Sequence, residues 1–293
     1  MKISVVIPSF NGKDLLARNL PLVIKACLSC EVIVVDDGST DGTKDFLGKN
    51  FPKVKVVFHK KNLRFAAACN SGIEAASGEI VVLLNNDVEP KKDFLKFLVS
   101  PFKDKDIFSV GCKEIDPPSL KLRKGKGFIS GRNEAEFKRG FLVHRRASNQ
   151  NKKDTFWTFG GSMAVDRRKY LELGGMDLMF APAYWEDIDL CWRARQKGLR
   201  ILFEPKSVVY HQHETTNVRE LGKIKMEIAA YKNQILFVWK NIRGWQLISH
   251  FLWFPYHLIF TTIKSKGLFY LGFLWACRQW IIFKKQNRKS KEI

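Results

Sequence analysis

The sequence predicts an α/β fold, a mostly parallel mixed sheet flanked by helices and followed by a helical tail of different character. Three observations predict it. Short apolar runs alternate with helix-like segments through the first third of the chain. Those runs close on polar clusters such as Asp36-Asp37-Gly38-Ser39 and Asn85-Asn86-Asp87. The last quarter then abandons this rhythm for long, aromatic-rich apolar stretches almost free of acids.

The elements follow in order. Residues 3–7 form an apolar run ended by Pro8 and read as a buried strand. Residues 14–26 are helix-like, with Pro21 expected to kink or break them. Residues 31–35 are a second buried strand, 43–47 a short helix and 54–58 a third strand. Residues 66–76 make a small-residue helix that Gly78 ends. Residues 80–84 are a fourth strand, 91–102 a helix after Pro90, and 107–112 a fifth strand. Ligands of such sheets bind beyond the carboxyl ends of the strands. That points to residues 8–12, 36–41, 59–65 and 85–89.

From residue 114 to 155 the pattern breaks down. This stretch holds Pro117-Pro118, several glycines and 11 Lys/Arg, against four acids before Asp154. It reads as a long, partly mobile basic insertion, about 114–156. Regularity returns at 157–165, followed by a helix through Leu173 that Gly174-Gly175 stops. A clear helix runs from about Glu186 to Lys197 with Gly198 as its stop, and 200–203 and 208–210 are short strands. Residues 1–215 therefore form one α/β domain and 216–293 a helical, basic-aromatic tail.

Within the tail, the apolar stretches 247–263 and 267–283 are 17 residues each. As helices each spans about 26 Å, against a hydrocarbon core of about 30 Å. They also contain His250, Pro255, His257 and Arg278. Helices lying in a membrane interface, with Trp and Tyr at headgroup level, fit better than spanning ones. A helical pair packed on the preceding domain is the alternative.

Composition narrows the class. At 293 residues and 45% apolar the chain can bury a sizeable core, which excludes collagen-like, disulfide-scaffold and wholly disordered readings. A net charge of +21 implies an anionic partner. The 23 Phe and 8 Trp suit lipid or carbohydrate contact. The six cysteines are scattered, and Cys27/Cys30 form a CxxC spacing with no second pair for zinc. The start, MKISVVIPSF, lacks a signal-peptide core, so a reducing, cytosolic setting is expected.

Four clusters could carry chemistry. Asp36 and Asp37 arrive at a sheet's carboxyl edge, where they could accept hydrogen bonds from a nucleotide's base or ribose, or simply cap a turn with Ser39 and Asp41. The GxxxxGKS and GxGxxG phosphate loops are absent, so a metal is the simplest way to neutralise phosphates. Asn85-Asn86-Asp87 could hold a hard divalent ion or be an Asx turn. Glu186 and Asp187 sit in a helix's first turn, where the dipole favours acids, but Asp187 could also be a general base. Asp189 and Arg193, four apart, suit an ion pair on the helix. His211 and His213 follow a strand and could ligate a metal or bind phosphate.

Taken together the chain resembles glycosyltransferase family 2, inverting enzymes with a GT-A fold. The likeness runs in order through Val5-Val6-Ile7-Pro8-Ser9-Phe10-Asn11, Val34-Val35-Asp36-Asp37-Gly38-Ser39, Asn62-Leu63-Arg64-Phe65, Asn70-Ser71-Gly72, Leu84-Asn85-Asn86-Asp87, Gly160-Gly161-Ser162 and Trp185-Glu186-Asp187-Ile188-Asp189. It covers about residues 1–215 and looks nearest to the rhamnosyltransferase-like branch of bacterial surface polysaccharide synthesis.

The resemblance implies a nucleotide-diphosphate sugar donor gripped by Pro8, Phe10, Asn11, Asp36, Asp37, Asn62, Arg64, Asn70, Asn85 and Asn86. It implies a divalent cation, Mg²⁺ or Mn²⁺, at Asp87 with His211, and a base at Asp187 with Glu186. Gly160, Gly161 and Trp185 fall on the acceptor side, where a glycan or lipid-linked saccharide would bind. There are departures. The metal motif reads Asn85-Asn86-Asp87, with an amide for one carboxylate, and Arg64 stands where the family usually has glycine. No QxxRW element of processive synthases is present.

A polyprenyl-phosphate sugar synthase and a non-catalytic nucleotide-sugar binding protein are the alternatives. A nucleic-acid partner is not expected, because no reading module appears. The charge sits elsewhere: the stretches 117–153 and 228–293 carry 19 of the 21 net charges. That places the protein on the cytoplasmic face of a membrane, peripheral or monotopic, with its tail on an anionic surface.

Overall fold

A computed structural model describes residues 1–116, 128–211 and 220–289. Four parallel strands open the chain: β1 (Ile3–Ser9), β2 (Glu31–Asp36), β3 (Lys55–Phe58) and β4 (Ile80–Leu84). They lie in the order β3-β2-β1-β4 within a larger mixed sheet. β10 (Ser162–Asp166) runs antiparallel between β4 and β6 (Ile107–Ile115), and β11 (Arg200–His211) lies parallel to β6. The edge strand β5 (Val88–Pro90) pairs antiparallel with β11, and the two-residue β7 (Ile129–Ser130) pairs with β6.

Side-chain alternation explains why the sheet is covered on both faces. Val5 and Ile7 of β1, with Val34 of β2, pack under helix α1 (Lys13–Ala26). Val6, Ile33 and Val35 point the other way, onto α3 (Phe65–Ala75). A methyl group on Gly72 would come within 2.2 Å of Val6 Cγ1, so α3 lies against β1 at a distance that only glycine permits. Helix α2 (Thr43–Asn50) follows β2, while α4 (Phe94–Val99), α5 (Arg167–Glu172) and α6 (Glu186–Gln196) complete the α/β part.

Several expectations are corrected. α1 runs through Pro21 without a break, because Leu16, Leu20 and Val23 hold it on the sheet across that point. The helix expected over 91–102 is only α4 plus a 3-10 turn, Ser100–Lys103, and the preceding loop contains β5. The two short strands at 200–203 and 208–210 are one strand, β11, whose register shift between Glu204 and Val208 absorbs Pro205. The described part of the basic insertion after residue 127 holds regular structure that the sequence did not suggest: β8 (Asn133–Lys138) and β9 (Phe141–Arg146) form an antiparallel hairpin. Pro117-Pro118, Lys121, Arg123, Lys124, Lys126 and His213 lie outside the described residues.

The tail is helical, and its first helix went unread in the sequence. Helix α7 (Lys223–Asn241) buries Ile235, Leu236, Phe237 and Val238 in the same core as α3 and α6. Helix α8 (Gly244–Tyr256) continues through a π-helical turn, His257–Thr261, before α9 (Leu268–Lys289) folds back on α7. Gly272 of α9 allows that approach, since a methyl group there would sit 2.7 Å from Tyr231 Cβ. Among the described residues no helix is long and apolar enough to cross a membrane.

Candidate active site

The carboxyl ends of β1, β2, β4 and β6 and the start of α6 surround one cavity of about 900 Å³. Asp37, at the end of β2, shapes one wall. Its Oδ1 accepts from the Leu63 amide at 2.8 Å and meets His59 Nδ1 at 2.6 Å, while Oδ2 accepts from the Arg64 amide at 2.8 Å. The turn at Gly38 (φ +76°) passes so close to Lys61 that a methyl group would clash at 2.5 Å. Asp37 therefore holds the 59–64 loop against the sheet edge, and Asn62 and Arg64 of that loop line the cavity with Pro8 and Phe10.

Arg64 is in an unusual state. Its backbone lies at φ 78°, ψ 170°, a region that belongs almost entirely to glycine. The position thus keeps a glycine-like backbone although the residue is an arginine, and Arg64 lines the cavity.

The next wall is the Asn85-Asn86-Asp87 turn. The Asn85 amide donates to the Gly161 carbonyl at 2.9 Å, and Asn86 Nδ2 donates to Ser9 Oγ at 2.9 Å. These bonds lock the turn between β1 and β10 and leave Asp87 beside His211 at the end of β11. His211 Nε2 lies 3.2 Å from Asp87 Oδ1, and its Nδ1 lies 3.0 Å from Glu114 Oε1. Glu114, at the end of β6, is itself buried and accepts from Ser162 Oγ at 2.5 Å. Burial alone would lower the His211 pKa, but the Glu114 charge and the bonds to Asp87 and Glu114 outweigh it and raise it to about 10.

Once His211 gives up its proton to an incoming cation, Asp87 Oδ1 and His211 Nε2, 3.2 Å apart, offer a two-donor set of oxygen and imidazole nitrogen. Among the described residues no cluster of three His, Cys, Asp or Glu ligands is assembled. The pair fits a hard or borderline divalent ion that draws its remaining ligands from a diphosphate and water, as Mg²⁺ commonly does.

The third wall carries the acids. Asp187, in the first turn of α6, is partly open to the cavity. Its Oδ2 accepts from the Gly160 amide at 3.3 Å and its Oδ1 from the Ile188 amide at 2.8 Å. Burial raises its pKa to about 6, the two amides pull it back, and Glu114 adds to the rise. Glu186 is buried, and its Oε2 has no hydrogen-bond partner among the described residues. Burial, then the charge of Asp187, raise it to about 8. Both carboxyls are thus held above the ordinary carboxylate range, Glu186 further than Asp187, which favours a shared proton on Glu186.

Tyr184 (φ 68°) and Trp185 (φ 81°), directly before these acids, both adopt left-handed backbone conformations. Helix α7 holds them there: Asn233 Nδ2 donates to the carbonyls of Phe180, Ala183 and Tyr184, at 2.6, 3.1 and 2.8 Å. Fully buried Lys232 donates to the Ala181 carbonyl and reaches that of Met179 at 3.5 Å. Burial lowers its pKa to about 8, opposed by the Glu186 charge.

Most residues singled out from the sequence meet in this cavity: Pro8, Phe10, Asp37, Asn62, Arg64, Asn85, Asn86, Asp87, Gly160, Gly161, Trp185, Glu186, Asp187 and His211 all line it. Three do not. Asp36 accepts from the Ser39 amide, and Asn11 Oδ1 accepts from the Thr40 amide, so both brace the β2 turn. Asn70 is occupied elsewhere, accepting from Tyr170 Oη and the Met176 amide and donating to the Met176 carbonyl.

The structure adds cavity residues that sequence reasoning missed, among them Glu114, Ser130, Asn133, His144, Arg146 and Trp157. Glu114 carried a readable signal, an acid at a strand's carboxyl end. His144, stacked edge-on against Trp157 and Trp185 at 5.1 Å each, carried none.

Solved structures of similar fold are glycosyltransferases, and the fold is of the GT-A class. GalNAc-T7, solved with UDP, GalNAc and Mn²⁺, matches with a TM-score of 0.64 over 81% of this chain and 47% of its own, at 20% identity. The mannosyltransferase PcManGT of Pyrobaculum calidifontis, solved with GDP-Man and Mn²⁺, matches at 0.58 over 95% and 84%, at 18% identity. Residues 4–174 match the model of glycosyl transferase family 2, and the chain belongs to that family. The pre-mycofactocin glycosyltransferase of Mycobacterium tuberculosis is 29% identical over 215 residues, 73% of this chain and 43% of its own. The dodecaprenyl-phosphate galacturonate synthase of Rhizobium johnstonii is 27% identical over 133 residues, 42% and 39%. The chain spans less than half the length of these curated relatives.

Proposed function

We propose that the protein is an inverting glycosyltransferase that moves a sugar from a nucleoside-diphosphate donor to a hydroxyl of a glycan or lipid-linked saccharide in cell-surface polysaccharide synthesis. One observation carries this reading. Asp187, partly open, faces the same cavity as the Asp87–His211 pair.

Asp187 takes the proton of the acceptor hydroxyl as its oxygen bonds to the anomeric carbon. The bond from that carbon to the diphosphate breaks, and the electron pair leaves with the nucleoside diphosphate. Attack from the face opposite the leaving group inverts the anomeric configuration. The Gly160 amide keeps the Asp187 carboxylate oriented, and protonated Glu186 spares it a second negative charge at close range. Asp87 and His211 would hold a divalent cation, Mg²⁺ or Mn²⁺, which when bound offsets charge on the diphosphate. Pro8, Asp37, Asn62 and Arg64 build the donor wall, and Trp185, His144 and Trp157 an aromatic wall suited to a sugar ring.

Asp187→Asn tests the assignment. Turnover should fall by about 10²-fold or more, while donor binding, read by thermal shift, persists. Near-normal turnover in this variant sinks the base role. Proton NMR of the product reads the anomeric outcome, and a donor panel that includes deoxyhexose nucleotides tests the rhamnosyltransferase-like branch. A second reading is favoured by the polyprenyl-phosphate synthase relative. There the acceptor is a lipid phosphate, already ionised, and product mass separates the two. Absence of both transfer and donor hydrolysis would leave a nucleotide-sugar binding protein.

A further inference from the structure

We propose that α8, its π-helical turn and α9 form a docking face for an anionic lipid bilayer, and that the β8–β9 hairpin ties that face to the acceptor side of the cavity. This deepens the membrane placement above without depending on the transfer chemistry.

The exposed apolar side chains are unevenly spread. Of the 25 large hydrophobics exposed in the described residues, 14 lie between Trp245 and Ile282. On α8 and its continuation they recur at Trp245, Ile248, Leu252, Tyr256, Ile259 and Ile263, spacings of three and four that place them along one side of the helix. Trp245, Leu252 and Ile263 are 73%, 68% and 72% exposed. On α9, Leu271, Leu274 and Ile281 repeat the pattern. A surface of this extent and amphipathic spacing marks an interaction site.

Charge selects its occupant. Residues 241–285 contain no Asp or Glu. Exposed Arg243, Lys264, Lys266, Arg278, Lys284 and Lys285 accompany the apolar stripes. An apolar face flanked only by cations, with tryptophan and tyrosine among its exposed groups, matches an anionic bilayer. The helices are too short or too polar to span one, so they lie in its surface.

The hairpin connects this face to the site. At its turn, the Gly140 carbonyl meets His250 Nδ1 at 2.8 Å and the Arg139 carbonyl meets His257 Nε2 at 2.9 Å. The Arg139 guanidinium lies over Trp253 and Tyr256, 5.7 Å from each ring, and Phe141 packs edge-on against His250 and His257. At the hairpin's open end, the paired residues Asn133 and Arg146 line the cavity. One rigid two-stranded element thus spans from the docking helices to the site.

Flotation of the purified full-length protein with vesicles tests this. Vesicles of phosphatidylcholine with phosphatidylglycerol should carry the protein, and phosphatidylcholine alone should carry much less. The triple change Leu252→Glu, Ile259→Glu and Ile263→Glu should lower vesicle partitioning by at least about tenfold, with circular dichroism and melting temperature retained. Should that variant misfold, Lys264→Glu with Lys266→Glu provides a milder change that weakens binding only to the anionic vesicles. Failure of the wild-type chain to bind anionic vesicles, or binding that these substitutions leave untouched, overturns the proposal. So does a stable dimer that the triple change dissociates while vesicles stay empty.

Discussion

The side-chain amide of Asn233 donates to the carbonyl of Tyr184 at 2.8 Å, across 49 residues of chain. Through this bond helix α7 holds the strained pair Tyr184–Trp185 that precedes the acids of α6. Left-handed non-glycine residues cost about 1–3 kcal/mol each and persist where surrounding contacts over-determine them. Asn233→Leu should destabilise the fold by about 1–3 kcal/mol, since three carbonyls lose their donor. It should also lower kcat more than it changes donor KM, because the loop positions Asp187 rather than the donor wall. Equal loss in both parameters would mean that Asn233 serves stability alone.

The pH dependence of turnover follows from Asp187. A general base works as the carboxylate, and burial places its pKa at about 6. Turnover should therefore stay flat above that value and fall as pH drops below it, about tenfold per unit for a single proton. A steady-state profile between pH 4.5 and 8 checks this, with the limb absent from any residual Asp187→Asn activity.

Glu186 makes a separate prediction about stability. Its folded pKa is raised to about 8, so the native state retains a proton that the unfolded chain releases at ordinary carboxylate pH. Stability then declines as pH rises from the carboxylate range toward 8, the opposite of a salt-bridged acid. Glu186→Gln removes this dependence and should stabilise the protein at pH 8 by roughly 1–3 kcal/mol. Denaturant melts of both proteins at pH 5 and pH 8 decide it: equal differences at the two values count against a buried, proton-retaining Glu186.

Arg64 sets backbone strain against a role in binding. Relieving its glycine-like backbone gains about 1–3 kcal/mol, less the 0.4–1 kcal/mol that glycine's unfolded freedom costs, about. Arg64→Gly should raise the melting temperature by a few degrees and, since Arg64 lines the cavity, weaken binding of a nucleotide-sugar donor. A variant that is both more stable and equally tight would show the side chain to be dispensable.

Lys240 lies 2.9 Å from both oxygens of fully buried Asp189 and 2.6 Å from Asp177. Asp189 also accepts from Arg193 Nε at 2.7 Å and Asn241 Nδ2 at 2.8 Å, so losing Lys240 removes a charge-assisted bond worth about 1.5–3 kcal/mol without orphaning the carboxylate. Lys240→Met should lower stability by that order, read in urea melts. A truncation that removes α7 should fail to fold, whereas substitutions on the exposed face of α8 should be tolerated.

What could be read in the sequence was local. The strands β1, β2 and β4 centre on runs of three to five consecutive apolar residues, Val5–Ile7, Val32–Val35 and Ile80–Leu84, which are readable because both faces of the sheet are covered nearby. The Asp37, Asp87 and Asp187 positions follow from their places at strand ends and a helix start. What escaped reading depends on distant partners. Lys232 and Asn233 look like a solvated helix face, yet both are fully buried because their partners are carbonyls about 50 residues earlier. The hairpin looked irregular because Phe141 packs against His250 and Phe269, more than 100 residues away. Pro205 divided β11 on paper, while the register shift lets the strand continue.

The hairpin is also a ruler. From Gly140 to Arg146 it advances six residue steps, about 20 Å of extended chain. On the proposed docking, with its turn held at α8, the cavity would stand off the lipid surface by up to that distance. An acceptor must therefore lift its reactive hydroxyl clear of the headgroups, which favours lipids already carrying a stem of sugars over those presenting a bare phosphate. Acceptor length would then be selected by the same piece of β-structure whose open end lines the cavity.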